Sequence, residues 1–384
     1  MNENCQGQSF VSHIEYKMSH TSLVCLSDFE REAEQILPRS TWHYIRSGAG
    51  HEEGLVWNQE AFKRLRIRPT VLRDVSQRNL SASVLGRRVP IPVGVSPTAF
   101  HGLSHHDGEC ATARGAGAVG AIFVLSVWST KSIEEVAAAA PDTIKWQHVH
   151  LFSDRNITHQ LVSRAERAGF QAIVVTVDTP VIAVRHADVH SQFKLPKHLS
   201  LANFREEVMS LKDSKDMKGI TNRADDIISQ SQTWEDIKWL KSITKLPVIA
   251  KGIMTPEDAV VAADVGVAGI LVSNHGSRQL DSLPASIEVL PEIVKAVGDR
   301  CEIYLDGGIR QGVDVFRALA LGARMVFVGR PAIWGLAVDG EQGVAKVLNV
   351  LKNELDHAFA LSGCTSVKDI KPDTVVHESR YSRL

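Results

Sequence analysis

Cysteine is scarce in this chain: five in 384 residues, scattered, odd in number and without a CxxC pair. That excludes a disulfide framework and leaves a reducing compartment as the simplest setting; no metal centre is expected. Neither sign of charge dominates, since 43 Lys and Arg face 44 Asp and Glu. No basic face for nucleic acid or a membrane surface is therefore expected. Long apolar runs are missing too: the longest, 259–273, is broken by Asp264 and by glycines, which argues against a membrane span. The first residues lack the basic and then apolar segments of a secretory leader, and 1–25 read as a disordered N-terminal extension. A GxGxxG after a first strand is absent, which disfavours a dinucleotide fold.

What is present is a rhythm. With 44% hydrophobic and 23% charged residues, the chain can bury a large core. Eight short apolar runs follow one another, most of them rich in β-branched residues: 92–96, 121–126, 143–149, 172–178, 247–251, 269–273, 302–306 and 325–329. Between most of them lie stretches with apolar residues at three- and four-residue spacing, the mark of amphipathic helices. Strand and helix alternating eight times predict a (β/α)8 TIM barrel. Glycines in "AGAVGA", "AGFQA", "VGVAG" and "LGARM" stand where helix C-caps return the chain to the barrel floor. The segment "SDFEREAEQILPRSTWHYIRSG" predicts one or two helices forming an N-terminal cap. Residues 205–235, polar and without a strong period, read as a long lid-like insertion. The domain is expected over 26–370, followed by a tail, 371–384. The tail ends in Ser382, Arg383 and Leu384, a near-variant of the peroxisomal SKL address.

In such a barrel the site is built from the C-terminal ends of the strands. Those ends read Pro97-Thr98-Ala99, Ser126, Gln147 or His148, Thr176-Val177-Asp178, Lys251, Ser273-Asn274-His275, Asp306-Gly307-Gly308 and Gly329-Arg330. Plain turns would favour Gly, Asn and Asp; Lys, Gln and Thr hydroxyls point instead to a functional mouth. "DGGIRQG" and "VGRPAIWG" at the last two strands place glycines and arginines where backbone N–H groups and guanidinium forks grip a phosphate. The ligand is therefore expected to be a phosphate-bearing cofactor. Lys251 at the end of a buried run would stabilise negative charge on a reduced cofactor or form a Schiff base; both stay open at this point.

Together, "SGAGHE", "SPTAF", "TVDTP", "AKGI", "SNHGSRQLD", "DGGIRQGVDVFRALALGA" and "VGRP" resemble the FMN-dependent 2-hydroxy acid oxidases, the glycolate oxidase type. The resemblance runs from about Asp28 to Lys368. It implies FMN and an (S)-2-hydroxy acid, glycolate, lactate or longer, oxidised with O2 to a 2-oxo acid and hydrogen peroxide. It also implies that His275 is the base and Asp178 the carboxylate beside it. Arg185, Arg278 and Tyr44 match the family's substrate-carboxylate site, and Lys251 its lysine beside the flavin, which sets the Schiff base aside. Pro97, Thr98, Ala99, Ser126, Gln147, Thr176, Ser273, Asp306, Gly307, Gly308, Ile309, Arg310, Gly329 and Arg330 match the FMN cradle. A peroxisomal homo-oligomer, tetramer or octamer, recognised by the import receptor through "SRL", is implied as well.

The chain departs from the family in "WQHVHLFSDR", where relatives carry Q-L-Y-x-Y. If Gln147 keeps its place, Val149 stands at the tyrosine. If the register follows "SDR", His148 replaces the glutamine and His150 the tyrosine. A one-residue slip exchanges the faces of a strand, so both stay open, and His150 is a candidate substrate residue. "PTAFH" also replaces the usual "PTAMQ", with Phe100 and His101. Phe100, Trp128, Val149 or His150, Ile182 and the insertion are expected to wall the substrate pocket. A dehydrogenase or monooxygenase of the same family, or a flavin-binding homologue with weakened catalysis, is the alternative.

Overall fold

The computed structural model describes residues 23–191, 193–204 and 227–381. Eight parallel strands close a barrel: β4 (Val93–Val95), β5 (Phe123–Leu125), β6 (Lys145–Val149), β7 (Ile173–Thr176), β8 (Val248–Ile253), β9 (Gly269–Val272), β10 (Glu302–Asp306) and β11 (Met325–Val328). Each strand pairs with its chain neighbour, and β11 returns to β4. All eight expected strands are present. Their continuous apolar character follows from burial on both faces, inside the barrel and beneath the helices.

Alternation sorts the side chains. Trp146, Val174, Ile249, Leu271, Tyr304 and Phe327 point inward into one cluster, while Val149, Ile173, Val175 and Ile270 pack outward with the helices. A hairpin of β2 (Ala82–Val84) and β3 (Arg87–Val89) joins the inner cluster and closes the floor. There Glu302 accepts from the Leu85 amide (3.0 Å) and from the Tyr304 hydroxyl (2.7 Å). Gly120, Gly169, Gly266 and Gly322, read as caps, all adopt the left-handed φ that such caps require.

The opposite end is covered by α1 (Leu26–Ile36) and α2 (Arg39–Arg46), as expected of the cap, followed by α3 (Glu53–Lys63). Two boundaries differ from expectation. Residues 371–381 are not a loose tail, because β12 (Val375–His377) pairs antiparallel with β1 (Leu65–Ile67) and buries Val375. The insertion is also shorter than 205–235 within the described chain: Ile227 and Ile228 are buried, Ile228 bridges to Phe152, and a helix begins at Trp234. The remainder of that insertion, 205–226, the terminal Ser382-Arg383-Leu384 and most of 1–25 lie outside the described residues.

Candidate active site

A cavity opens at the C-terminal ends of the barrel strands. Its wall gathers Pro97, Thr98 and Ala99 after β4, Ser126 after β5, Thr176 at the end of β7 and Lys251 in β8. Asp306, Gly307, Gly308, Ile309 and Arg310 follow β10, and Gly329 and Arg330 follow β11. His275, Arg278, Arg185, His150 and Tyr44 face the same space. Distant segments of the chain converge here because every strand of a parallel barrel ends on one rim.

His275 and Arg278 reach one cavity through an unusual turn. His275, Gly276 and Ser277 have φ of 59°, 63° and 59°, three left-handed residues in succession. The two non-glycine residues hold a costly conformation. Surrounding bonds impose it: Ser277 N donates to Asn274 O (2.9 Å), Ala49 N to Ser277 O (2.7 Å) and Arg330 Nη1 to Gly276 O (3.1 Å). Asn274 is itself fixed by a reciprocal amide pair with Asn58 of α3, both bonds 2.9 Å.

Asp178 stands behind the wall, its Oδ1 3.0 Å from His275 Nδ1. A carboxylate there requires a proton on Nδ1, so the Nε2 lone pair is left for the cavity. Burial, and then the Lys251 cation, lower the His275 pKa below 6.5, against the opposing pull of Asp178. For Asp178 burial acts upward, but His275, Lys251 and Thr179 outweigh it and hold the carboxyl below 3.8. Gly252 makes the dyad possible: with φ +110°, it lies so close that a Cβ would stand 2.5 Å from Asp178 Cγ.

Arg278 donates Nη1 to the carbonyls of Tyr44 and Ser47, both 2.8 Å, and lies over the Tyr44 ring at 4.9 Å. Arg185 donates to Arg278 O (3.2 Å) and pairs with Asp188 (3.4 Å). Nη2 of each has no partner among the described residues. Burial, then the neighbouring Arg278, pushes Arg185 down to about 10. Tyr44 stacks on Phe193 at 4.2 Å, and Phe100 completes this aromatic side. Opposite stand Trp128 and His150, with ring centres 5.7 Å apart.

Two expected cradle residues are placed otherwise. Gln147 does not reach the cavity; with Trp146 inside the barrel, alternation turns it outward, and its amide donates to the carbonyls of His148 (2.7 Å) and Leu125 (3.4 Å). His148 and His150 take the inward positions, so the register follows "SDR". Ser273 also stays behind the wall, accepting from Lys251 Nζ (3.2 Å) and from the His275 amide (3.0 Å). Arg330 lines the cavity but is also a structural tie: it donates to the carbonyls of Ile45 (3.0 Å), Ser47 (2.9 Å) and Gly276 (3.1 Å), which joins α2 to the His275 turn and leaves one N–H on each Nη.

The sequence did not single out Asn58, Thr179 or Phe193, whose roles depend on contacts across the fold, and it named Asn274 only as a strand end. Asp281, quoted only as part of a motif, caps the start of α3 by accepting from the His51 (2.9 Å) and Gly54 (3.0 Å) amides.

An anionic, ring-bearing ligand fits this cavity. Four guanidiniums converge, and burial together with mutual repulsion depresses Arg330. Nε of Arg310 and Oδ1 of Asp306 are buried without partners among the described residues, on the two sides of Gly307 and Gly308. Gly308 has φ +80°, and any Cβ would meet Asn58 O at 1.9 Å. The Lys251 cation lies 3.8 Å from Asp306.

Comparison with known proteins agrees with this arrangement. The family model described as FMN-dependent dehydrogenase matches residues 33–377. The chain belongs to the FMN-dependent dehydrogenase family. It is 49% identical over 351 residues to human 2-hydroxyacid oxidase 1, covering 91% of this chain and 95% of that one. With glycolate oxidase 3 of Oryza sativa subsp. indica it shares 47% over 362 residues, 94% and 98% of the two chains. A solved structure of mandelate oxidase with (S)-4-hydroxymandelic acid superposes with a TM-score of 0.86 at 39% identity, covering 91% of this chain and 98% of the other. The FMN of this family matches the demands of the site: anion-binding groups on one side, a cation at Lys251 and small residues where a ring must approach.

Proposed function

We propose that the protein is an FMN-dependent (S)-2-hydroxy acid oxidase that forms a 2-oxo acid and passes the electrons to O2, giving hydrogen peroxide. The observation that carries this is the His275–Asp178 dyad opening onto the same cavity as two guanidiniums with unspent donors. FMN, when bound, supplies the two-electron acceptor that no side chain of the protein provides.

Arg185 and Arg278 hold the substrate carboxylate through their remaining N–H groups, with the Tyr44 hydroxyl beside them. His275 Nε2 takes a proton from the substrate, and Asp178 stabilises the imidazolium so formed. His150 faces the substrate at the position of the family tyrosine. Burial, and then His275, bring its pKa down to about 3, so it stays neutral. Its Nδ1 is buried without a partner among the described residues. A buried N–H without an acceptor is the rarer defect, so the proton sits on Nε2 and His150 serves as a donor to the substrate.

An aerobic screen of 2-hydroxy acids of graded length, reading peroxide and 2-oxo acid together, tests this function. Equal yields of the two are expected. Oxo acid without peroxide would indicate a dehydrogenase outcome, O2 uptake that leaves neither oxo acid nor peroxide would indicate a monooxygenase, and the absence of both turnover and flavin bleaching with every acid would overturn it. We also propose assembly as a homo-oligomer, checked by light scattering. Import into peroxisomes through Ser382-Arg383-Leu384 is checked with a reporter carrying or lacking those residues.

A further inference from the structure

His148 occupies the place where relatives carry a glutamine, and its bonds fix its proton. The Val127 amide donates to Nδ1 (3.4 Å), so the neutral ring carries its hydrogen on Nε2. That hydrogen points at Thr176 Oγ1, 2.8 Å away. Both residues are buried and both line the cavity. Once Thr176 Oγ1 accepts from the imidazole, its own hydrogen has no acceptor among the described residues and is directed into the cavity. Burial, and then the neighbouring His150, Lys251 and His275, oppose protonation of His148. The backbone amide, imidazole and hydroxyl therefore form a one-way donor chain that ends on the ligand.

We propose that His148 is a positioning residue that fixes the Thr176 hydroxyl as a hydrogen-bond donor to the FMN ring, and through it raises the reduction potential of the bound flavin. This rests on the FMN reading above. A donor aimed at the ring stabilises the negative charge that accumulates there on reduction, and this chain achieves with an imidazole what a glutamine amide does by another geometry. Glutamine at 148 could also accept from Val127 and donate to Thr176.

The test uses the FMN-loaded enzyme with His148→Gln, His148→Leu, Thr176→Val and the double variant His148→Leu/Thr176→Val. The readouts are the flavin midpoint potential and the dissociation constant for sulfite, which adds reversibly to electron-poor flavins and bleaches their absorbance. H148L and T176V are each expected to weaken sulfite binding roughly tenfold and lower the potential by about 30 mV, a tenfold change for a two-electron couple. The double variant should fall no further than either single one, because the two act in series. H148Q should return most of both values. Additive losses in the double variant, or no recovery with H148Q, would overturn the proposal. If H148L does not fold, T176V with an unshifted potential overturns it equally. Wild-type protein that refuses FMN sinks the underlying function as well, whereas a yellow enzyme with unmoved potentials sinks only this inference.

Discussion

Replacing Asp178 by asparagine separates two quantities that usually move together. In the dyad, Asp178 Oδ1 lies 3.0 Å from His275 Nδ1. Placing the two charges about 4 Å apart at an effective dielectric of about 20 gives roughly 4 kcal/mol of stabilisation for the imidazolium. An asparagine oxygen would keep a neutral hydrogen bond of about 1 kcal/mol, leaving a loss of about 3 kcal/mol, or roughly 100- to 200-fold in kcat/KM. An amide turned the other way would also displace the Nδ1 proton and deepen the loss. The pH profile should move in the direction opposite to intuition. The base must be neutral, so kcat/KM rises as pH passes upward through the His275 pKa of the free enzyme. In the wild type that acid limb lies below 6.5, because burial and Lys251 depress His275 while Asp178 opposes them. Removing the opposing charge in D178N shifts the limb to still lower pH even as the plateau drops. Initial rates across pH 4–9, at fixed FMN occupancy, read both. A plateau within fivefold of wild type, or a limb displaced to higher pH, would refute this account of the dyad.

Lys251→Met removes the cation that depresses His275, so its acid limb should shift upward toward 6.5 in the same rate measurements. Gly252→Ala places a Cβ 2.5 Å from Asp178 Cγ at φ +110°; flavin content should persist while kcat/KM falls toward the D178N level. His150→Phe loses one donor to the substrate, about 1–3 kcal/mol, and should lower kcat/KM about 5- to 160-fold. Because His150 is already neutral above about pH 3, its loss should not create or remove a limb in the pH profile. Deleting 371–384 takes away β12 and the buried Val375, worth about 1.5–3 kcal/mol in apolar burial alone. Calorimetry should therefore show a lower Tm, where a loose tail would leave it unchanged.

The barrel was legible because its signals are local. Strands buried on both faces read as apolar runs, and glycines such as Gly120 and Gly266 mark where each helix turns back. The polar rim of the cavity was legible for a related reason: Lys251 or His275 at the end of a buried run has no structural purpose there that a smaller residue would not serve better. The structural bonds of Arg330 were not legible because its partners include the carbonyls of Ile45 and Ser47, more than 280 residues earlier in the chain, and no local pattern announces them. The pairing of β12 with β1 was missed likewise, since three residues are too short a run to show a period.

The harder case is β6, whose five residues are all buried. Alternation of polar and apolar positions, which normally reveals the face of a strand, is erased when both faces are covered. Volume then decides. Trp146 packs inside the barrel against Tyr304 and Phe327, with ring centres 5.7 and 5.5 Å apart. Period two carries that choice two and four residues along, to His148 and His150. Turning the strand by one residue would bring Gln147 to the rim, but it would also take the indole out of the inner cluster and set Lys145 inside in its place. The Lys145 ammonium would then lose the carbonyls of Ala140, Pro141 and Thr143 that now hold it and become an unpaired buried charge. A tryptophan inside the barrel thus determines which imidazoles reach the cavity, and a lysine at the floor of the barrel makes the alternative register untenable.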